Sequence, residues 1–165
     1  MGLVQSDVSL GREVEFYNRV NDSDPANAVL KVVVLASPAE ATSVLRTYAT
    51  LATLLAANPE VTNGDYARKD LSDADLAAYV VDGTGHTITL ELPLLTYSAG
   101  GGPDAGDAWD YAVVCYDADS TGGADSAVIP ITYHELRIDG VAIVPNGSPI
   151  VIDLSEGFVR ASAYP

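Results

Sequence analysis

The chain is short of the residues that most often do chemistry. It has one cysteine, Cys115, and two histidines, His86 and His134, in 165 residues. A single cysteine excludes an intramolecular disulfide, so the fold does not depend on an oxidising compartment. Basic residues are scarce as well: eight lysines and arginines stand against 23 acidic residues, for a formal charge of −15. A surface this acidic repels phosphates, and the one adjacent basic pair, Arg68-Lys69, is flanked by Asp65 and Asp70. Binding to nucleic acid or to an anionic membrane is therefore not expected. No apolar run reaches the length needed to span a bilayer. The opening Met1-Gly-Leu-Val-Gln-Ser6 lacks the basic and apolar regions of a secretion signal. It fits the short myristoylation pattern, but no polybasic segment follows to support a membrane anchor.

Sequence signatures of catalysis are missing too. There is no G-x-S-x-G elbow, no phosphate loop with lysine, no H-E-x-x-H and no C-x-x-C. A Cys115–His134–carboxylate site is formally conceivable, since a nucleophile and its base need only meet in space. However, Cys115 lies inside the apolar run Tyr111-Ala-Val-Val-Cys-Tyr116, which reads as a strand, so it is expected to be a small buried hydrophobe. Neither a catalytic residue nor a cofactor is expected. The one pattern that suggests a ligand is Asp117-Ala-Asp119-Ser-Thr-Gly122-Gly-Ala-Asp125. Alternating carboxylates followed by glycine can wrap oxygens around a hard cation such as calcium. Asp125 is misplaced for the closing bidentate ligand, and the same residues serve a solvated turn.

What the chain does have is a hydrophobic fraction of 48% and many short β signals. The length fits one domain, taken as residues 1–165. Residues 13–20 alternate partly and read as a strand, and residues 28–35 read as a central strand covered on both faces. A main helix is expected at about 40–57. Val44, Tyr48, Leu51 and Leu55 form its apolar stripe, and Asn58-Pro59 ends it. A short second helix is expected at about 72–78, with Ser72 as its cap.

Strands follow at 80–81, 87–92, 109–116, 127–133 and 149–154. Pro130 is expected at an edge or bulge. Asp139-Gly140 marks a tight hairpin between Leu136-Arg-Ile138 and Val141-Ala-Ile-Val144. Residues 98–106 form the most flexible stretch by composition. The expected fold is mostly β of the α+β kind, an antiparallel sandwich-like domain. Residues 1–11 are expected to form either an N-terminal arm or a first strand.

Several phrases together carry a family resemblance. They are Val4-Gln-Ser-Asp-Val-Ser-Leu-Gly-Arg12, Val14-Glu-Phe-Tyr-Asn-Arg-Val20, Asp24-Pro-Ala-Asn27, Tyr66-Ala-Arg-Lys69, Leu71-Ser-Asp-Ala-Asp75, Val114-Cys-Tyr-Asp117 and Ile129-Pro-Ile-Thr-Tyr-His134. Over nearly its whole length the chain resembles small virion structural proteins of tailed bacteriophages and prophages, especially those of actinobacteria. The resemblance implies a non-enzymatic head accessory protein that decorates or cements the capsid. A tail or baseplate component that touches the host surface is the alternative, with the loop at 98–106 and Trp109 as contacts. It also implies residence in the virion, the major capsid protein or other virion proteins as partners, and self-association. It carries over no active site.

Overall fold

The computed structural model describes residues 3–9, 11–76, 80–82, 87–154 and 159–162. In chain order the elements are β1 (Leu3–Gln5), α1 (Glu13–Asn21), β2 (Val29–Ala36), α2 (Thr42–Leu45), α3 (Leu51–Ala57), β3 (Lys69–Leu71), β4 (Val80–Asp82), β5 (Thr87–Leu90), β6 (Leu95–Tyr97), β7 (Trp109–Asp117), β8 (Ile129–Glu135), β9 (Arg137–Ile138), β10 (Val141–Ala142), β11 (Ile150–Ile152) and β12 (Val159–Ser162). The architecture is mostly β of the α+β kind, with antiparallel pairing in every sheet.

One five-stranded sheet, in the order β1-β8-β7-β2-β3, organises the molecule. Its centre is the pair β2–β7, in register from Val29 opposite Asp117 to Leu35 opposite Tyr111. Both strands are largely apolar on both faces, with Lys31, Asp110 and Asp117 as buried exceptions, and both faces are covered. On one face lie Phe16, Tyr17 and Val20 of α1, with Tyr97 of β6 and Ile152 of β11. On the other lie Leu45, Leu51 and Leu54 of α2 and α3. Each large aliphatic side chain buried here contributes roughly 1.5–3 kcal/mol. Pro130 sits opposite Cys115 where the β7–β8 register shifts, so its missing N–H falls at a bulge, as its chemistry requires.

The segment at 13–20, expected as a strand, is helix α1. Its buried residues are Glu13, Phe16, Tyr17 and Val20, at steps of three, one and three, which form a helical stripe. The charges agree with a helix as well. Glu13 and Glu15 occupy the first turn and Arg19 the last, and Glu15 pairs with both Arg12 and Arg19 at 3.0 Å. The weak alternation of Val14 and Phe16 was the poorer signal.

The helix expected at 40–57 is divided into α2 and α3. Thr50 takes extended backbone angles, and its hydroxyl accepts from the Thr53 N–H while the Thr53 hydroxyl accepts from the Thr50 N–H. This reciprocal cap starts a new helix in the middle of the expected one. The break changes the buried face: Leu45, Leu51 and Leu54 are buried, whereas Val44 is exposed. Glu40 does not begin a helix. Its carboxylate accepts from the Tyr48 hydroxyl at 2.6 Å and from the Asn58 amide at 2.8 Å.

The second expected helix is a 3-10 turn at Asp73–Asp75, where the Ser72 N–H and hydroxyl both donate to Asp75 at 2.9 Å. Residues 77–79, which would complete it, lie outside the described residues, as do Gly2 of the myristoylation pattern, His86, and Gly83 of the expected 82–83 turn. The N-terminal segment is a first strand, since Leu3–Gln5 pairs with Thr132 to His134 of β8.

Candidate functional site

The carboxylates of the weak calcium candidate, Asp117, Asp119 and Asp125, each accept hydrogen bonds from groups of the same chain. Asp117 ends β7 and is buried, with its carboxylate 3.5 Å from the Lys31 ammonium and accepting the Asp119 N–H at 3.0 Å. Asp119 accepts from both the N–H and the hydroxyl of Thr121, an arrangement of turn residues. These bonds hold the Asp119 carboxyl below its usual range. Asp125 turns to Arg68, which donates to it at 2.7 and 2.9 Å and to Glu60 at 2.7 Å. Arg68 thereby ties the β7–β8 loop to the segment that follows α3. Among the described residues no group of three or more His, Cys, Asp or Glu is placed to hold a metal ion.

Cys115 and His134 face opposite sides of the sheet. Cys115 packs with Val33, Val113 and Tyr133 beneath the α2–α3 layer, and burial pushes its thiol up, away from the reactive thiolate. His134 stands opposite Ala112, which belongs to the other core cluster. The Thr132 hydroxyl lies 2.9 Å from Nε2 of His134. Gln5 of β1, opposite Thr132, reaches Glu13 of α1 with its side-chain amide. Burial pushes the Glu13 carboxyl up. These polar groups fasten β1 and α1 to the edge of the sheet.

Burial pushes His134 down to about 4 from its ordinary value near 6.5. Between those values the unfolded chain binds the proton and the folded chain does not, so stability rises with pH across that window. Acidification from pH 6.5 to pH 4 should therefore remove about 3 kcal/mol through this residue. The urea-unfolding free energy measured at half-unit pH steps tests this. In His134→Gln the slope between pH 4 and 6.5 should be much shallower, and an unchanged slope would refute the assignment.

Trp109 is fully buried, and its indole N–H donates to Asn63 at 2.9 Å, so it is not a surface contact. The loop at 98–106 is tied down near its centre, where Gly102 and Pro103 are buried, and its other residues are exposed. Asp104 N–H donates to the Gly64 carbonyl, Gly147 N–H donates to the Pro103 carbonyl, and Asn63 donates to the carbonyls of Asp104 and Asp107. Its glycines allow close approach. A Cβ on Gly102, whose φ is +135°, would stand 2.1 Å from the Ser148 carbonyl carbon and oxygen.

The outward-facing feature is the β9–β10 hairpin. Asp139 (φ 52°) and Gly140 (φ 79°) both adopt positive φ, as the expected turn requires. Ile138 pairs with Val141, and the two are 69% and 66% exposed. Val144, just beyond, is 63% exposed.

The base of the hairpin is held firmly. Trp109 N–H donates to the Ile143 carbonyl at 2.7 Å, Leu136 N–H donates to the Asp110 carbonyl at 2.8 Å, and Arg137 donates to the buried Asp110 carboxylate at 2.6 and 3.1 Å. The sequence indicates the turn but not the projection, because exposure of Ile138 and Val141 depends on what the rest of the chain leaves uncovered. Asp110 had a readable signal: a carboxylate inside an otherwise apolar strand needs a partner.

The cationic side chains that the structure describes are similarly occupied. Arg12, Arg19, Lys31, Arg46, Arg68 and Arg137 each contact a carboxylate of the same chain, and Lys69 lies over the Tyr97 ring at 4.9 Å. Among the described residues no helix is long and apolar enough to cross a membrane. Comparisons with family models, with curated proteins and with solved structures give no match.

Proposed function

We propose that the chain is a non-enzymatic structural protein of a tailed-phage particle, a decoration or cement protein held on the capsid. The observation that carries an assembly role is the β9–β10 hairpin, which offers large aliphatic side chains to solvent from a rigid base. Exposed aliphatic groups on a firmly held element are what a protein contact uses. The phage setting rests on the sequence resemblance over nearly the whole chain. The reactive groups support the same reading, because Cys115 and His134 are separated by the sheet and Asp125 is taken up by Arg68. A high acidic charge also keeps a protein soluble at the local concentrations reached on a particle surface.

The test is the copy number of the protein in purified particles of the phage that encodes it, by quantitative mass spectrometry against the major capsid protein. A number comparable with that of the capsid protein is expected. A low number would move the protein to the tail or baseplate, and absence from the particle would overturn the structural role.

A further inference from the structure

The hairpin also carries information about what covers it. Ile138 and Val141 are register partners and therefore lie side by side on one face of the ribbon. A two-stranded hairpin standing alone in water is marginal, yet this one is clamped to β7 by Trp109–Ile143 backbone pairing and by the Arg137–Asp110 ion pair. The ribbon is thus preorganised, and seating it would cost little ordering entropy. Its strands are two residues each, too short to recruit a partner by extending a sheet, so the side chains are the contact.

Charge selects the partner. Asp139 stands exposed at the tip, while Arg137 is already engaged by the Asp110 carboxylate and, at 3.4 Å, by Glu135 at the base. A second copy of the chain would bring another −15 with Arg12, Arg19, Lys31, Arg46, Arg68 and Arg137 already paired internally. Self-docking through this face would therefore bring two strongly acidic chains together with Asp139 at the contact, which is unfavourable.

We infer that the Ile138–Val141 hairpin inserts into an apolar pocket rimmed by lysine or arginine on a different protein, the major capsid protein of the particle. This rests on the capsid reading above and adds to it the contact residues and the chemistry of the receiving site.

The experiment uses the full-length protein and particles produced without it. Binding is measured by co-sedimentation at 50 and 500 mM salt, and the free protein's oligomeric state by sedimentation velocity. Wild type should bind saturably and more weakly at high salt. The double variant I138S/V141S should lose at least tenfold in affinity while its melting curve is unchanged, since both side chains are solvent-facing. D139K should bind more weakly than wild type and lose part of the salt dependence. Three results would overturn the inference. I138S/V141S could bind as wild type does. Wild type could form oligomers that I138S/V141S abolishes, which would make the occupant a second copy. Wild-type binding could be unaffected by both salt and D139K, which would remove the basic rim. Failure of the capsid reading is visible separately, in the copy number of the unmodified protein, which no hairpin variant affects.

Discussion

Gly102→Ala is expected to lower the unfolding free energy by about 4 kcal/mol or more, the largest loss from adding a single methyl group that the structure suggests. Two costs combine. At φ 135° and ψ 165° the backbone lies in a region open essentially to glycine alone, and a side chain there costs roughly 1–3 kcal/mol. The added carbon would also stand 2.1 Å from the Ser148 carbonyl carbon and oxygen and 2.5 Å from the Pro149 nitrogen. All three are backbone atoms that no rotamer change can move aside, and overpacking of this kind costs roughly 1–3 kcal/mol more. Gly140→Ala is the matched control. Its φ is also positive, at +79°, but nothing lies within 4 Å of the added carbon, so it should cost only about 1 kcal/mol. Urea denaturation of the two variants separates strain from collision, and equal losses would show that the 102–148 contact is not tight in solution.

Arg137→Met is the second large effect, expected at about 4 kcal/mol near neutral pH. The cost arises at Asp110 rather than at the arginine. The Asp110 carboxylate is fully buried, and it receives two bonds from Arg137 and one from the Ala39 N–H at 2.8 Å. Removing the guanidinium leaves a buried anion with a single donor, and the uncompensated charge dominates the loss. Asp110→Asn added to Arg137→Met should therefore restore a substantial part of the stability, because the amide keeps the Ala39 bond without the charge. Thermal and urea melts of the single and double variants decide the matter. A double variant no better than Arg137→Met would place the loss in the packing of the arginine stem.

The readable part of the fold was the part where one physical signal dominated. The continuous β-branched run of β2 admitted only a strand covered on both faces, Pro130 could sit only where a donor was not needed, and Asp139-Gly140 could form only a turn with two positive φ values. Glu13 to Val20 was harder because its apolar residues satisfy both periods in part. The charge pattern from Arg12 to Arg19 was the better guide. The helix at 40–57 was read from its hydrophobic period and its end signals, yet two threonine hydroxyls three residues apart, Thr50 and Thr53, restart the helix inside it. At the 98–106 loop composition indicated the glycine-rich connection but not the close approach of Gly102 to Ser148, because glycine permits close packing as readily as freedom, and only the neighbours decide which. The candidate site was least legible. Trp109 is an aromatic next to a glycine-rich loop, and nothing local reveals that Asn63 binds its indole in the core. Exposure of Ile138 and Val141 is likewise a property of the whole chain.

The order of strands in the main sheet has a consequence for synthesis. β2 leaves the ribosome long before β7, its principal partner, and β1 must wait for β8, which lies near the other end of the chain. During that interval Val29–Ala36, a run with the composition of an aggregating segment, has only the three-residue ladder of β3 to join, and only along Leu30–Val32. Lys31 stands inside this run and in the finished protein meets Asp70 of β3 and Asp117 of β7. On the nascent chain the same ammonium is a solvated charge that opposes stacking of one unfinished strand on another, so one lysine serves the half-made protein before it serves the complete one.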